Sequence, residues 1–264
     1  MLLFQPAEEN AHGAHEIITE GILQDFNPTY IFGLHNLPGY KQGSIIVKKD
    51  VFASASQGLI IKLQGKTSHA GHPEQGINPM KAMIEIMQTL ETISKLYRQK
   101  ENGTFLTIIH VSLGERAFGT SPGYAEIMAT YRSPDQTLLK KMTNESIESI
   151  TNIVNKNLIS FEYEWVEIFP AIHNNSDCVD IICRAAEKEQ LPIKWISKPF
   201  TWTEDFSYYL HSYPGAFFGI GSGEAQKPLH HPSYDFPDEL LPIGISLYKQ
   251  IIKESFHTYS GEKS

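Results

Sequence analysis

The feature that most constrains this chain is a change of periodicity that occurs twice. From about residue 53 the segments follow the order strand, helix, strand, strand, helix, strand. Residues 57–65 (QGLIIKLQG) alternate, 78–97 carry apolar residues at helical spacing with Pro79 at an early helical position, and 104–113 (TFLTIIHVSL) are β-branched. Residues 124–132 (YAEIMATYR) alternate again, 134–158 read as a helix and 160–168 (SFEYEWVEI) as the closing strand. That order is the split unit of a ferredoxin-like domain, and it predicts an inserted βαββαβ module over 53–165. Outside it, Met1-Leu2-Leu3-Phe4 reads as a buried strand, 14–23 as a short helix and 29–35 (TYIFGLH) as a second buried strand. After His173 come a helix at 176–188, a short strand at Trp195-Ile196, a helix at 205–211, a buried strand at 215–221 (GAFFGIG) and a closing helix at 241–256. The two ends of the chain, 1–52 and 166–264, are expected to make one α/β domain that the module interrupts.

A formal charge of −8 over 264 residues argues against a nucleic-acid binder, and no Lys/Arg cluster exceeds Lys140-Lys141. No apolar run has membrane-spanning length, and Met1-Leu2-Leu3-Phe4 lacks the basic flank and length of a signal peptide. The expected setting is cytoplasmic. Cys178 and Cys183 lie in a helical stretch and suit reduced, buried thiols rather than a disulfide framework.

Glu8 and Glu9 are adjacent carboxylates that raise each other's pKa unless a cation sits beside them. They read either as a general base and a metal ligand, or as acids at a helix start favoured by its dipole. His35 follows an apolar strand, and His230 stands in the Pro-bounded loop PLHHP; each is a ligand or an ordinary loop or strand-end histidine. Together Glu9, His35 and His230 supply the nitrogen and oxygen donors that Zn²⁺ or Mn²⁺ accepts, each expected near a strand end of one sheet. A carboxylate base beside such a metal is an arrangement that hydrolyses amides. His69, in GKTSHAGHP, is a loop residue or a donor to an oxyanion. Arg132 forms a surface ion pair or clamps a substrate carboxylate in bidentate fashion.

The phrases FQPAEE, IFGLHNLPGYKQGSI, ASAS, GKTSHAGHPEQGINP, TEDFSYYL, PGAFFGIGSG and PLHHPSYDF occur in this order along essentially the whole chain. Together they resemble the zinc-dependent amidohydrolases that include aminoacylases, hippurate hydrolase, N-acetyldiaminopimelate deacetylase and related carboxypeptidases. The resemblance implies a zinc-peptidase-like α/β catalytic domain with a smaller lid that often dimerises, a binuclear Zn²⁺ or Mn²⁺ site, and hydrolysis of N-acyl or N-aroyl amino acids or small peptides. By it Glu8 is the general base, Glu9, His35 and His230 are metal ligands, His69 faces the reacting carbonyl, and Arg132 holds the substrate carboxylate. It also implies a longer N-terminal part, with a Cys-x-His pair that completes the metal site; no early Cys-x-His occurs here. The chain therefore reads as the C-terminal portion of such an enzyme. The alternatives that stay open are a truncated, non-catalytic pseudoenzyme or assembly subunit, and a binding protein that captures acyl-amino acids without cleaving them. Ala117-Phe118-Gly119, where an Asn is usual in relatives, and Thr203 after Trp202 also depart from the family pattern.

Overall fold

The computed structural model describes residues 1–261. In chain order it runs α1 (Gly13–Thr19), β1 (Ile31–Pro38), β2 (Ile45–Val47) and β3 (Asp50–Ala53), then β4 (Ala55–Gln64), β5 (Ser68–His69), α2 (Met80–Lys100), β6 (Phe105–Leu113), β7 (Thr120–Ser121), β8 (Tyr124–Ser133), α3 (Gln136–Lys156) and β9 (Ser160–Phe169). The remainder comprises β10 (Ile172–Asn174), α4 (Ser176–Lys188), β11 (Ile193–Trp195), α5 (Ser207–Ser212), β12 (Gly215–Gly223) and α6 (Leu240–Gly261). Two compact units result. One holds Met1–Ala53, Ile172–Phe200 and the described residues from Glu204 onward; the other holds Ser54–Ala171 with Thr201–Thr203.

In the second unit four antiparallel strands lie in the order β6-β8-β4-β9. Counted within the unit that is 2-3-1-4, the order of a ferredoxin-like plait. The alternation of β4 puts Leu59, Ile61 and Leu63 on one face, opposite Ala129, Ile127 and Ala125 of β8, all of them buried. α2 turns Ala82, Ile86, Leu90, Ile93 and Tyr97 inward at helical spacing, and α3 does the same with Leu139, Met142, Ile150 and Val154. Asp135 caps α3 by accepting from the backbone N–H groups of Thr137 and Leu138. β9 pairs with β4 over its full length, so this unit extends to Ala171 rather than ending near residue 165.

In the first unit a mixed sheet has the order β1-β12-β2-β11, with β1 parallel to β12, β12 antiparallel to β2, and β2 parallel to β11. Every residue of β12 up to Ser222 is buried, as expected of a strand covered on both faces. Its core joins Ile45, Val47, Phe218 and Ile220 of the sheet to Ile181, Ile182 and Ala185 of α4 and Leu247 and Ile251 of α6. Gly33 in β1 is required by packing, because a Cβ there would lie 2.5 Å from the Phe217 ring and 2.7 Å from the Phe206 ring. That close approach seats the chain just after Glu204 and Asp205 against β1.

The expectation of a strand at Met1-Leu2-Leu3-Phe4 is corrected. These residues adopt no regular structure, and all four are exposed, Phe4 at 88%. A strand needs a ladder partner to satisfy its backbone groups, and among the described residues none pairs with this run. Four apolar side chains do not hold an extended conformation by themselves.

Candidate active site

His35 lies inside β1, in register with Gly219 of β12. Its Nδ1 is 2.8 Å from the carbonyl oxygen of Asn36. A carbonyl only accepts, so Nδ1 carries a proton, and in the neutral ring Nε2 carries the lone pair. Nε2 is directed at Glu204, 3.6 Å from Oε1. This is the tautomer in which a histidine ligates a metal through Nε2.

Glu8 and Glu9 sit in a single 3-10 turn, Glu8–Asn10, between two residues in the left-handed region, Ala7 (φ 58°) and Ala11 (φ 62°). Each such residue costs roughly 1 kcal/mol or more, so the turn is held by contacts and not by its own preference. Burial, reinforced by the negative charge of Glu8 and by Asp205 and Glu9, pushes the Glu204 carboxyl up to about 9. Protonated Glu204 donates a hydrogen bond to Glu8, whose own pKa is raised by burial and by the charges of Asp205 and Glu9. Asp205 is likewise raised by burial, against the lowering effect of its hydrogen bonds from Ala14 and Gln5.

Imidazole and carboxylate are donor types that a divalent cation accepts, and the repulsion among these crowded carboxylates is relieved by a shared proton or a positive charge. The full trio anticipated from sequence is less gathered. Glu9 lies in the 3-10 turn, His35 is in mid-strand, and His230 is exposed in a left-handed conformation (φ 64°) beyond β12, so only His35 lies on a strand of the sheet. Among the described residues no three His, Cys, Asp or Glu side chains are grouped so as to hold a metal ion, and Glu9, His35 and His230 do not stand together as one ligand set. Glu9 and His230 are carried on short irregular segments, where no ladder fixes their direction.

Sequence reasoning singles out neither Glu204 nor Asp205 nor Gln5 as a site residue. Gln5 Nε2 donates to both carboxylate oxygens of Asp205, at 2.8 and 2.7 Å, across 200 positions of sequence. The available signal is the pair Glu204-Asp205 within TEDF, a second run of adjacent acids.

In the second unit, β5 and β7 pair His69 with Thr120. The Gly71 N–H donates to His69 Nδ1 at 3.0 Å, so the proton of the neutral ring is on Nε2, which is thereby a donor. Arg132, on β8, gives one N–H of its guanidinium to the Thr201 carbonyl at 3.0 Å, and burial lowers its pKa without discharging it.

Residues 1–254 match the model of peptidase family M20/M25/M40. The chain belongs to this family. Hippurate hydrolase of Campylobacter jejuni is 28% identical over 253 residues, a match that covers 95% of this chain and 65% of that protein. N-acetyldiaminopimelate deacetylase of Exiguobacterium sibiricum is 26% identical, covering 96% of this chain and 68% of that one. Among solved structures, the Bacillus subtilis YXEP protein, described as a dinuclear metal binding peptidase from the M20 family, superimposes with a TM-score of 0.76 at 23% identity. That match covers 94% of this chain and 62% of YXEP. A putative aminohydrolase from methicillin-resistant Staphylococcus aureus gives a TM-score of 0.80 at 20% identity, over 96% of this chain and 65% of that one. The chain thus spans about two thirds of the length of these relatives. Both structural matches bear out the α/β peptidase fold.

Proposed function

We propose that this M20 chain carries the general base and part of the metal site of an amidohydrolase that cleaves the amide of N-acyl or N-aroyl amino acids. The observation that supports this reading best is the approach of His35 Nε2, with Nδ1 held by the Asn36 carbonyl, to the Glu8–Glu204 carboxylate cluster. Binding of Zn²⁺ or Mn²⁺ would draw Glu9 and His230, each carried on a short irregular segment, toward His35 to complete the ligand set. Such an ion, when bound, supplies the positive charge that polarises the acyl carbonyl and acidifies water. Glu8 takes the proton of the attacking water on its carboxylate and returns it to the departing amine. His69 contributes its Nε2–H to the developing oxyanion, and Arg132 offers its planar guanidinium to the free carboxylate of the amino acid. The names of the two relatives, a hippurate hydrolase and an N-acetyldiaminopimelate deacetylase, support N-benzoylglycine and N-acetyldiaminopimelate as the first candidate substrates to try. A cytoplasmic setting belongs to the same reading. Cys178 and Cys183 are free thiols, and burial pushes them up to about 12 and 11, away from reactive thiolate.

The test is to supply the purified chain with Zn²⁺, Mn²⁺ or Co²⁺ and to measure bound metal together with hydrolysis of both substrates. Metal-dependent release of glycine or diaminopimelate is expected. Stoichiometric metal without hydrolysis would mark a binding or assembly role, and neither metal nor hydrolysis would refute the reading.

We also propose that two copies of the chain associate through the second unit. Its sheet ends at β6, where Ile109 is 57% exposed with Val111 close by, an apolar edge that a second strand can cover. Val111→Lys is expected to turn a dimer into a monomer in light scattering. A wild-type chain that is monomeric at micromolar concentration would exclude this.

A further inference from the structure

The segment from Gln5 to Ala14 carries both candidate glutamates, yet it belongs to no sheet and holds only one 3-10 turn before α1 begins. Outside its 3-10 turn its internal backbone bonds include Ala11 N–H to the Glu8 carbonyl at 3.0 Å and Gly13 N–H to the Ala7 carbonyl at 3.2 Å. What fixes it comes from elsewhere. Asp205, 1% exposed, accepts from Gln5 Nε2 on both oxygens and from the Ala14 N–H at 2.9 Å. The Tyr209 hydroxyl donates to Gln5 Oε1 at 2.7 Å, so the Gln5 carboxamide is gripped at both its ends. Tyr209 is anchored in an apolar cluster with Ala14, Ile17 and Leu23. One buried carboxylate therefore ties down the residue three before Glu8 and the residue five after Glu9. The neighbour of that carboxylate, Glu204, is the group that touches Glu8 and faces His35.

We propose that Asp205 is a positioning residue that, with Gln5 and Tyr209, clamps both ends of the Glu8–Glu9 segment and so sets where these two carboxylates stand. The inference rests on the metal-site reading above and adds the device that holds the site in register. A ligand group displaced by a fraction of an ångström loses its geometry, so the clamp acts on metal affinity through Glu9 without contacting the metal.

The chemistry of the clamp supplies its own rescue. In Asp205→Asn one of the two acceptors of Gln5 Nε2 is replaced by an N–H₂ donor set against it, and the single carbonyl left is shared between Gln5 and the Ala14 N–H. In Gln5→Glu two carboxylates face each other. In the double variant Gln5→Glu/Asp205→Asn one donor–acceptor contact between the two side chains is restored. The amide introduced in place of Asp205 donates to one oxygen of the carboxylate introduced in place of Gln5, and Tyr209 donates to the other. The carbonyl of that same new amide accepts from the Ala14 N–H.

The experiment titrates the full chain with Co²⁺, followed by its visible absorption, and measures amide hydrogen exchange over residues 5–14 without metal. Each single variant is expected to bind Co²⁺ at least tenfold more weakly and to exchange faster over 5–14. The double variant is expected to bind Co²⁺ more tightly and to exchange more slowly than either single variant. Tyr209→Phe removes one hydrogen bond with little change of shape, and is expected to give an intermediate loss even where a single variant fails to fold. Single variants with wild-type affinity and exchange, or a double variant no better than the singles, would overturn the proposal. A wild-type chain that takes up no Co²⁺ refutes the metal reading instead. The exchange data alone then decide the clamp, with protection lost in the singles and regained in the double supporting it and unchanged protection overturning it.

Discussion

Exchange of Glu8 for glutamine is expected to move activity and stability in opposite directions. Glutamine has nearly the shape of glutamate and its carbonyl still accepts the hydrogen bond from Glu204, so the local packing is kept. It cannot take a proton, and loss of a general base costs about 10²- to 10⁴-fold in turnover. Metal affinity is expected to stay within about threefold, because Glu9 and His35 are untouched. Stability of the metal-free chain is expected to rise. Glu8 is one of several carboxylates crowded with Glu204, Asp205 and Glu9, and each raises the cost of charging the others. Removing one charge from that group stabilises the fold by on the order of 1 kcal/mol, the usual trade between a site built for function and a site built for stability. Steady-state hydrolysis, Co²⁺ titration and thermal melts of the EDTA-treated protein read the three effects. An active Glu8→Gln protein excludes Glu8 as the base, and a melting point that falls shows that the charge cluster is not under strain.

The same cluster shows which parts of this M20 fold can be read from the chain and which cannot. The six elements of the ferredoxin-like unit are legible because each shows its own period: Leu59, Ile61 and Leu63 repeat at two, and Ile86, Leu90, Ile93 and Tyr97 at three and four. β12 is legible as an unbroken apolar run bounded by turn residues. By contrast β2, β3 and β10 have three or four residues each, too few for any period to show, and they form because neighbouring strands are already in place. Met1-Leu2-Leu3-Phe4 fails in the opposite sense, with the right composition but no ladder. In the site, the tension between Glu8 and Glu9 is visible as adjacent like charges. The partners that modulate it, Glu204 and Asp205, lie about 200 positions away, and only the fold brings them near. His35 reads as a strand-end residue but sits in mid-strand, because β1 follows β12 three residues further, to Pro38.

Asn174→Ala is expected to be among the most damaging truncations to alanine outside the site. Asn174 is 2% exposed, and its carboxamide does the work of a missing backbone neighbour. Nδ2 donates to the carbonyls of Lys48 and Phe217, each at 2.9 Å, and Oδ1 accepts from the Phe217 N–H at 2.8 Å. One side chain thereby satisfies both polar groups of Phe217 in β12 and ties them to the backbone entering β3. Alanine leaves a buried N–H and two buried carbonyls without these partners. At about 1–3 kcal/mol for each unsatisfied group, and allowing for partial relaxation, the loss is about 3–5 kcal/mol. That is a large share of the roughly 5–15 kcal/mol by which domains are stable. Aspartate, although isosteric, is expected to be worse at neutral pH, since it sets a carboxylate against two carbonyl oxygens. Such a carboxyl has a raised pKa in the folded state, so folding takes up a proton and the variant regains stability as pH falls. Urea denaturation of the three proteins at pH 5 and pH 8 gives the order wild type, Ala, Asp at pH 8, with the gap between Ala and Asp narrowing at pH 5. A loss below about 1 kcal/mol for Asn174→Ala would mean that water replaces the carboxamide and that β12 does not depend on it.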